Sequence, residues 1–95
     1  MHYRLKQIKD IKNCDYAFEW WDWAKSKFNL NDYEVVYEGD IQGDNEFAAL
    51  EELFEMFNIR HPEDFRGHSL SVSDVVELDG TNYYCDSAGW KKLEA

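Results

Sequence analysis

Ninety-five residues with a formal net charge of −10 make one domain, too small for a large cleft between lobes; its acidity opposes direct binding to a phosphate backbone, where cations must displace counterions. Four tryptophans, six tyrosines and six phenylalanines supply enough apolar area to order the chain without metal or disulfide staples, which argues against a disordered chain. No apolar run approaches the roughly 18 residues of a membrane span, and the opening MHYRLKQIKD has no signal-peptide core, so a cytoplasmic protein without membrane contact is expected.

YRLKQI alternates, with Tyr3 and Leu5 on one parity, and is predicted as a first strand. In NCDYAFEWWDWAKSKFN, residues Ala17, Trp20, Trp21, Ala24 and Phe28 recur at helical spacing, which predicts a helix from about Cys14 to Lys27 capped by Asn13. Phe18 and Trp23 lie off that stripe, and a tryptophan exposed there marks a partner surface. DYEVVYEGDI, rich in β-branched and aromatic residues, is the second strand. After GDNE, with Asp44 or Asn45 as cap, EFAALEELFEMFN is a helix with Phe47, Leu50, Leu53, Phe54 and Phe57 on its apolar stripe and Glu51, Glu52 and Glu55 in water. Asn58 ends it in a left-handed turn, and Pro62 prevents its continuation.

The Asp79-Gly80 pair then predicts a tight hairpin, because both central positions of such a turn take positive φ. Its register sets Leu78 opposite Thr81, Val76 opposite Tyr83, Val75 opposite Tyr84 and Asp74 opposite Cys85, and GWKKL is a last short strand or turn returning Trp90 to the core. Strand parity from Ser69 onward points Leu70, Val72, Val76 and Leu78 inward and Ser69, Ser71, Ser73 and Glu77 outward. Asp74 shares the inward parity. A buried carboxylate needs donors, from backbone N–H groups or from His61, Arg66 or His68, unless a bulge returns it to the surface. The expected fold is α+β: an antiparallel or mixed sheet of about four short strands, with two amphipathic helices on one face.

Chemistry has little to work with. Cys14 and Cys85 are two small hydrophobes too far apart for a metal knuckle or a redox pair. His61, His68 and Asp74 have spacings of no metal-ligand pattern, so neither metal nor cofactor is expected. A hydrolase would use Ser71 or Cys85 as nucleophile, His68 as base and Asp74 as orienting acid, but no nucleophile turn, glycine-rich anion loop or helix-borne histidine pair accompanies them. No catalytic residue is assigned.

Three stretches, NDYEVVYEGDI, LEELFEMFNIRHPEDFRGHSLSVSDVVEL and YYCDSAGW, from about Tyr33 to Trp90, resemble the YodL-like domain of mobile and conjugative elements in Firmicutes and related gut bacteria, with FRGHSLSVSDVV the most specific run. YRLKQIKDIKN and YAF are similar to the segment that precedes it in a subset. The whole chain, 1–95, is thereby read as a single domain of that kind. The family departs from this sequence with an aromatic residue at Ala88 and a variable aliphatic at Cys85, which implies that Cys85 fills space. The resemblance brings no reaction or catalytic residue, and its setting implies a protective or accessory role during transfer.

A non-enzymatic module that binds an unidentified protein partner as a monomer is therefore expected. Its recognition patch is His61, Asp64, His68, Ser69, Ser71 and Ser73, with Asp74, Tyr84, Asp86 and Trp90, on a polar loop held by a hairpin and a helix. The same loop residues could instead only fix a chain reversal. Residues 1–30 carry a net +2 and residues 31–95 a net −12. An acidic decoy of DNA, occupying a host defence protein through Glu51, Glu52 and Glu55 with Glu34, Glu38, Asp40 and Asp44, is the alternative.

Overall fold

The computed structural model describes residues 1–94. Alternating side chains set out five strands, β1 (His2–Ile8), β2 (Tyr33–Asp40), β3 (Val75–Leu78), β4 (Thr81–Asp86) and β5 (Gly89–Lys92). They pair antiparallel in the order β2-β1-β3-β4-β5, with a register shift between Leu5 and Lys6. The fold is α+β, with five strands where about four were expected; GWKK is the fifth.

The β3–β4 hairpin turns at Asp79 and Gly80, with φ of 46° and 93°, and its register pairs Val75 with Tyr84, Val76 with Tyr83 and Leu78 with Thr81 as the dipeptide predicts. Parity then separates two cores. Tyr3, Leu5, Val76, Leu78 and Cys85 face α2 (Glu46–Ile59), which buries Ala49, Leu50, Leu53 and Phe57 against them. Each of these larger side chains contributes about 1.5–3 kcal/mol by leaving water. Ile8, Val75 and Tyr84 face the other way, where Tyr16, Ala24 and Tyr33 complete a second, smaller core with Trp21 and Phe28 packed on it. Trp21 and Phe28 meet the Tyr84 ring edge-on at 4.9 and 5.8 Å.

The two helical segments thus lie on opposite faces of the sheet, where one face was expected. The first is also far shorter than Cys14–Lys27: α1 is Trp21–Ala24, preceded by a single 3₁₀ turn at Ile11–Asn13. Backbone groups that a longer helix would use are taken by tertiary partners. Phe18 adopts φ 65° and its N–H donates to Ser73 Oγ, Tyr84 Oη donates to the Glu19 carbonyl, and Trp21 N–H donates to Asp86. Bulky aromatic residues gain little from helix propensity to oppose this. Asn13 bonds the Asp10 side chain and caps nothing.

Asn45 caps α2 by accepting from Ala48 N–H, as one of two expected residues. The helix runs past Asn58 to Ile59; Asn58 keeps a helical backbone and its amide donates to the Phe54 and Leu70 carbonyls. Phe47 and Phe54, placed on the apolar stripe by period alone, are 67 % and 39 % exposed, because the stripe that meets the sheet is centred on Ala49, Leu53 and Phe57.

Candidate functional site

The polar loop between α2 and β3 is pinned by Phe65, whose ring packs on Phe57 at 4.8 Å, and by Gly67, where a Cβ would stand 2.4 Å from Gln7 Oε1. After it, Leu70 is buried, but Leu70–Asp74 is not strand; β3 begins only at Val75. The reason is a turn and a bulge. Asp74 N–H donates to the Ser71 carbonyl, Ser73 sits at φ 84°, and Ser73 and Asp74 together oppose Cys85, through Ser73 N–H to the Cys85 carbonyl and Cys85 N–H to the Asp74 carbonyl. Glycine ordinarily supplies such a φ. Here a serine holds it, its hydroxyl accepting from Phe18 N–H at 2.8 Å and its carbonyl accepting from Tyr33 Oη.

The bulge turns Ser73 inward, against its expected outward parity, and leaves Asp74 buried too. The expectation that a bulge would free Asp74 to the surface fails because the turn itself supplies donors. Asp74 Oδ2 accepts from Ser71 N–H at 2.9 Å and from Gln7 Nε2 at 3.0 Å, and His68 Nε2 lies 3.7 Å from Oδ1. Burial outweighs these partners and pushes the Asp74 carboxyl up to about 7.

Gln7 is the linchpin that the sequence did not announce. Fully buried, it donates from Nε2 to the His68 carbonyl at 2.8 Å as well as to Asp74, and accepts from His68 N–H at Oε1. Its signal was available: Gln7 shares the parity of Tyr3 and Leu5, so a polar group on an apolar face needed partners. His68 is the partly exposed member. Its Nδ1 lies 2.7 Å from the Ser69 carbonyl, a donor position that turns Nε2 toward Asp74, and its ring meets Phe18 at 5.6 Å.

A nucleophile is not poised on this imidazole. Ser71 Oγ donates to the same Ser69 carbonyl at 2.8 Å, so hydroxyl and ring share an acceptor and do not bond each other. Cys85 is buried under α2, and burial first, with Asp74 next, pushes its thiol up to about 12, away from the thiolate that chemistry needs.

The other expected patch residues fall elsewhere. Tyr84 is buried and Asp86 receives Trp21 N–H at 3.0 Å, so both anchor the aromatic segment from beneath. Trp90 lies beside α2, its indole donating to Glu51 at 3.1 Å. His61 and Asp64 are exposed around Phe65, Asp64 accepting from Tyr37 Oη. The loop thus brings together His68, Ser69, Ser71, Ser73 and Asp74 and leaves the remaining five apart. Phe18 joins them, and with Trp20 and Trp23 it is half or more exposed, at 50, 57 and 50 %.

No helix among the described residues is long and apolar enough to cross a membrane. No curated protein and no solved structure matches the chain. The family model of the YodL-like domain matches residues 2–95, which extends the likeness of Tyr33–Trp90 to β1 and to the aromatic segment between β1 and β2, and the chain belongs to that family.

Proposed function

We propose that this YodL-like domain is a non-enzymatic protein-interaction module, an accessory domain of a mobile element, whose contact surface is the aromatic segment Phe18–Trp23 bordered by His68, Ser69 and Ser71. The observation that carries it is three large aromatic side chains held half in water on a backbone that is not free to collapse over them. Ser73, Tyr84 and Asp86 each bond a main-chain group of that segment, at Phe18, Glu19 and Trp21. Tryptophan and other aromatic anchors dominate binding energetics, and a fixed backbone reduces the entropy lost on association.

A hydrolase draws less support, since neither Ser71 nor Cys85 is bonded to His68 and Cys85 is buried. An acidic decoy also draws less. Glu38 is engaged by Arg4, His2 lies near Glu38 and Asp40, Glu52 pairs with Arg60, and Glu51 and Glu55 sit on α2 across the sheet from the Arg4 cluster. Carboxylates imitating a phosphate ladder need one extended surface.

The test is affinity capture from the native host with wild type, a Trp20→Ser/Trp23→Ser variant and a His68→Ala/Ser71→Ala variant, each with its thermal midpoint measured. A partner retained by wild type and lost from the tryptophan variant at unchanged midpoint is the expected result. Equal capture by wild type and the tryptophan variant would remove the contact surface from consideration.

A further inference from the structure

On the opposite face, two adjoining hollows that share Trp90 form a groove between α2 and the β4–β5 hairpin, with an acidic rim and its more apolar half beside Phe47. Phe47 and Phe54 stand two helical turns apart, about 10 Å along the axis, and border it on the helix side. Leu50, Tyr83 and Trp90 line it on the Phe47 side, and Trp90 and Cys85 on the Phe54 side. The Trp90 indole bond to Glu51 crosses between the two halves.

The charge around it is one-sided. Glu46 and Glu51 line the two halves and Glu55 lies on the next turn, with Lys92 the cation on the lining, whereas the Asp86 carboxylate is turned to the other face, toward Trp21 N–H. Among the described residues none of Glu46, Glu51 and Glu55 has a cation within ion-pair distance, whereas Glu38, Glu52 and Glu77 are each matched by arginine or lysine of this chain. Glu46 acts on the groove itself: after burial, it is what pushes the Tyr83 phenol upward. An exposed phenylalanine pair framed by unmatched carboxylates fits an apolar side chain flanked by cations.

We infer that this groove docks a cationic peptide segment of a partner protein, seating a large apolar side chain between Phe47 and Trp90 and placing lysine or arginine against Glu46 and Glu51. It rests on the chain being an interaction module, but not on the Phe18–Trp23 surface. The net −12 of residues 31–95 steers such a segment toward this half of the molecule.

The full chain, labelled with ¹⁵N, is titrated with short synthetic peptides of alternating leucine and lysine, leucine and glutamate, or serine and lysine. The leucine–lysine peptide is expected to shift the Trp90 indole N–H and the Phe47 and Phe54 amides saturably, and to weaken severalfold as salt is raised. Phe47→Ser, at a position two-thirds exposed, and Glu46→Gln/Glu51→Gln, which keeps an acceptor for the indole, each weaken it roughly tenfold at unchanged thermal midpoint. Trp20→Ser/Trp23→Ser leaves this titration intact, so a failure of the other surface is read separately. Equal shifts with the leucine–glutamate peptide, shifts confined to Phe18–Trp23, no saturable response, or groove resonances that move with protein concentration alone each overturn the proposal.

Discussion

Replacing Asp74 by asparagine is expected to stabilise the protein at neutral pH, with a gain that grows as pH rises. Asp74 is fully buried, and burial raises its carboxyl from the ordinary 3.8 to about 7. Between those values the folded chain holds a proton that the unfolded chain releases, so this group's stabilisation is fully present below about pH 4 and is lost as pH climbs through 7. At about 1.4 kcal/mol per pH unit, the span amounts to on the order of 4 kcal/mol as an upper bound. Asparagine keeps an acceptor for Ser71 N–H and Gln7 Nε2 and turns its amide donor toward His68 Nε2, so the packing is preserved while the ionisation is removed. Urea unfolding of both proteins from about pH 4 to pH 8 at constant ionic strength measures the difference, in which the pH dependence of the remaining carboxylates cancels. Parallel stability curves, or a wild type more stable than Asp74→Asn at pH 8, would refute the burial argument and make the Asp74–His68 pair a net stabilising ion pair. Asp74→Ala is the contrasting case: it orphans two donors, at about 1–3 kcal/mol each, at every pH.

Gly67→Ala is expected to lose about 1–3 kcal/mol in urea unfolding, since its Cβ meets Gln7 Oε1 at 2.4 Å and the Phe65 ring at 2.8 Å, both held in place; a wild-type midpoint would show the loop to be looser than that. Ser73→Gly relieves a φ of 84° while giving up the bond to Phe18 N–H, effects of about 1 kcal/mol each that nearly cancel. Ser73→Ala keeps the strain and loses the bond, so it should unfold about 1 kcal/mol earlier than the glycine variant, and the opposite order contradicts the turn geometry. Cys14 is half-buried and Cys85 buried with its thiol pushed up to about 12, so a thiol reagent should modify one cysteine quickly and the other only on unfolding. Equal rates would place Cys85 at the surface.

Hairpin and helix were legible wherever the signal is local. Asp79-Gly80 needs only its own two φ angles, and its register carried Val75–Tyr84 and Val76–Tyr83 with it. In α2 the 3.6-residue period identified Leu50, Leu53 and Phe57 but also admitted Phe47 and Phe54, because period gives a stripe and not which edge of it meets the sheet. Residues 14–28 misled for a different reason. Their helical spacing is genuine, yet Ser73, Tyr84 and Asp86, from 55 to 65 residues away, claim the backbone groups at Phe18, Glu19 and Trp21. No local pattern carries that information. Asp74 was legible as a buried carboxyl in search of donors and His68 as its neighbour, while Gln7, which joins them, lay in a strand assigned by alternation alone.

Two residues other than glycine with positive φ, Phe18 and Ser73, are bonded directly to each other. Each conformation costs about 1–3 kcal/mol and persists only where its surroundings over-determine it. At Ser73 a glycine would remove that cost, but it would also remove the hydroxyl that holds Phe18 N–H. The serine therefore makes sense as a clamp: strain in the loop is balanced by order in the aromatic segment, 55 residues away in the chain. The polar cluster and the aromatic surface then have distinct parts. Gln7, Ser73 and Asp74 are buried and set geometry, whereas Phe18, Trp20 and Trp23 stand in water with little to do for the core. Substitutions at the first three should reach any partner only through stability and order, and substitutions at Trp20 and Trp23 should reach it at constant stability. A module whose recognition lay in the polar loop itself would show the reverse.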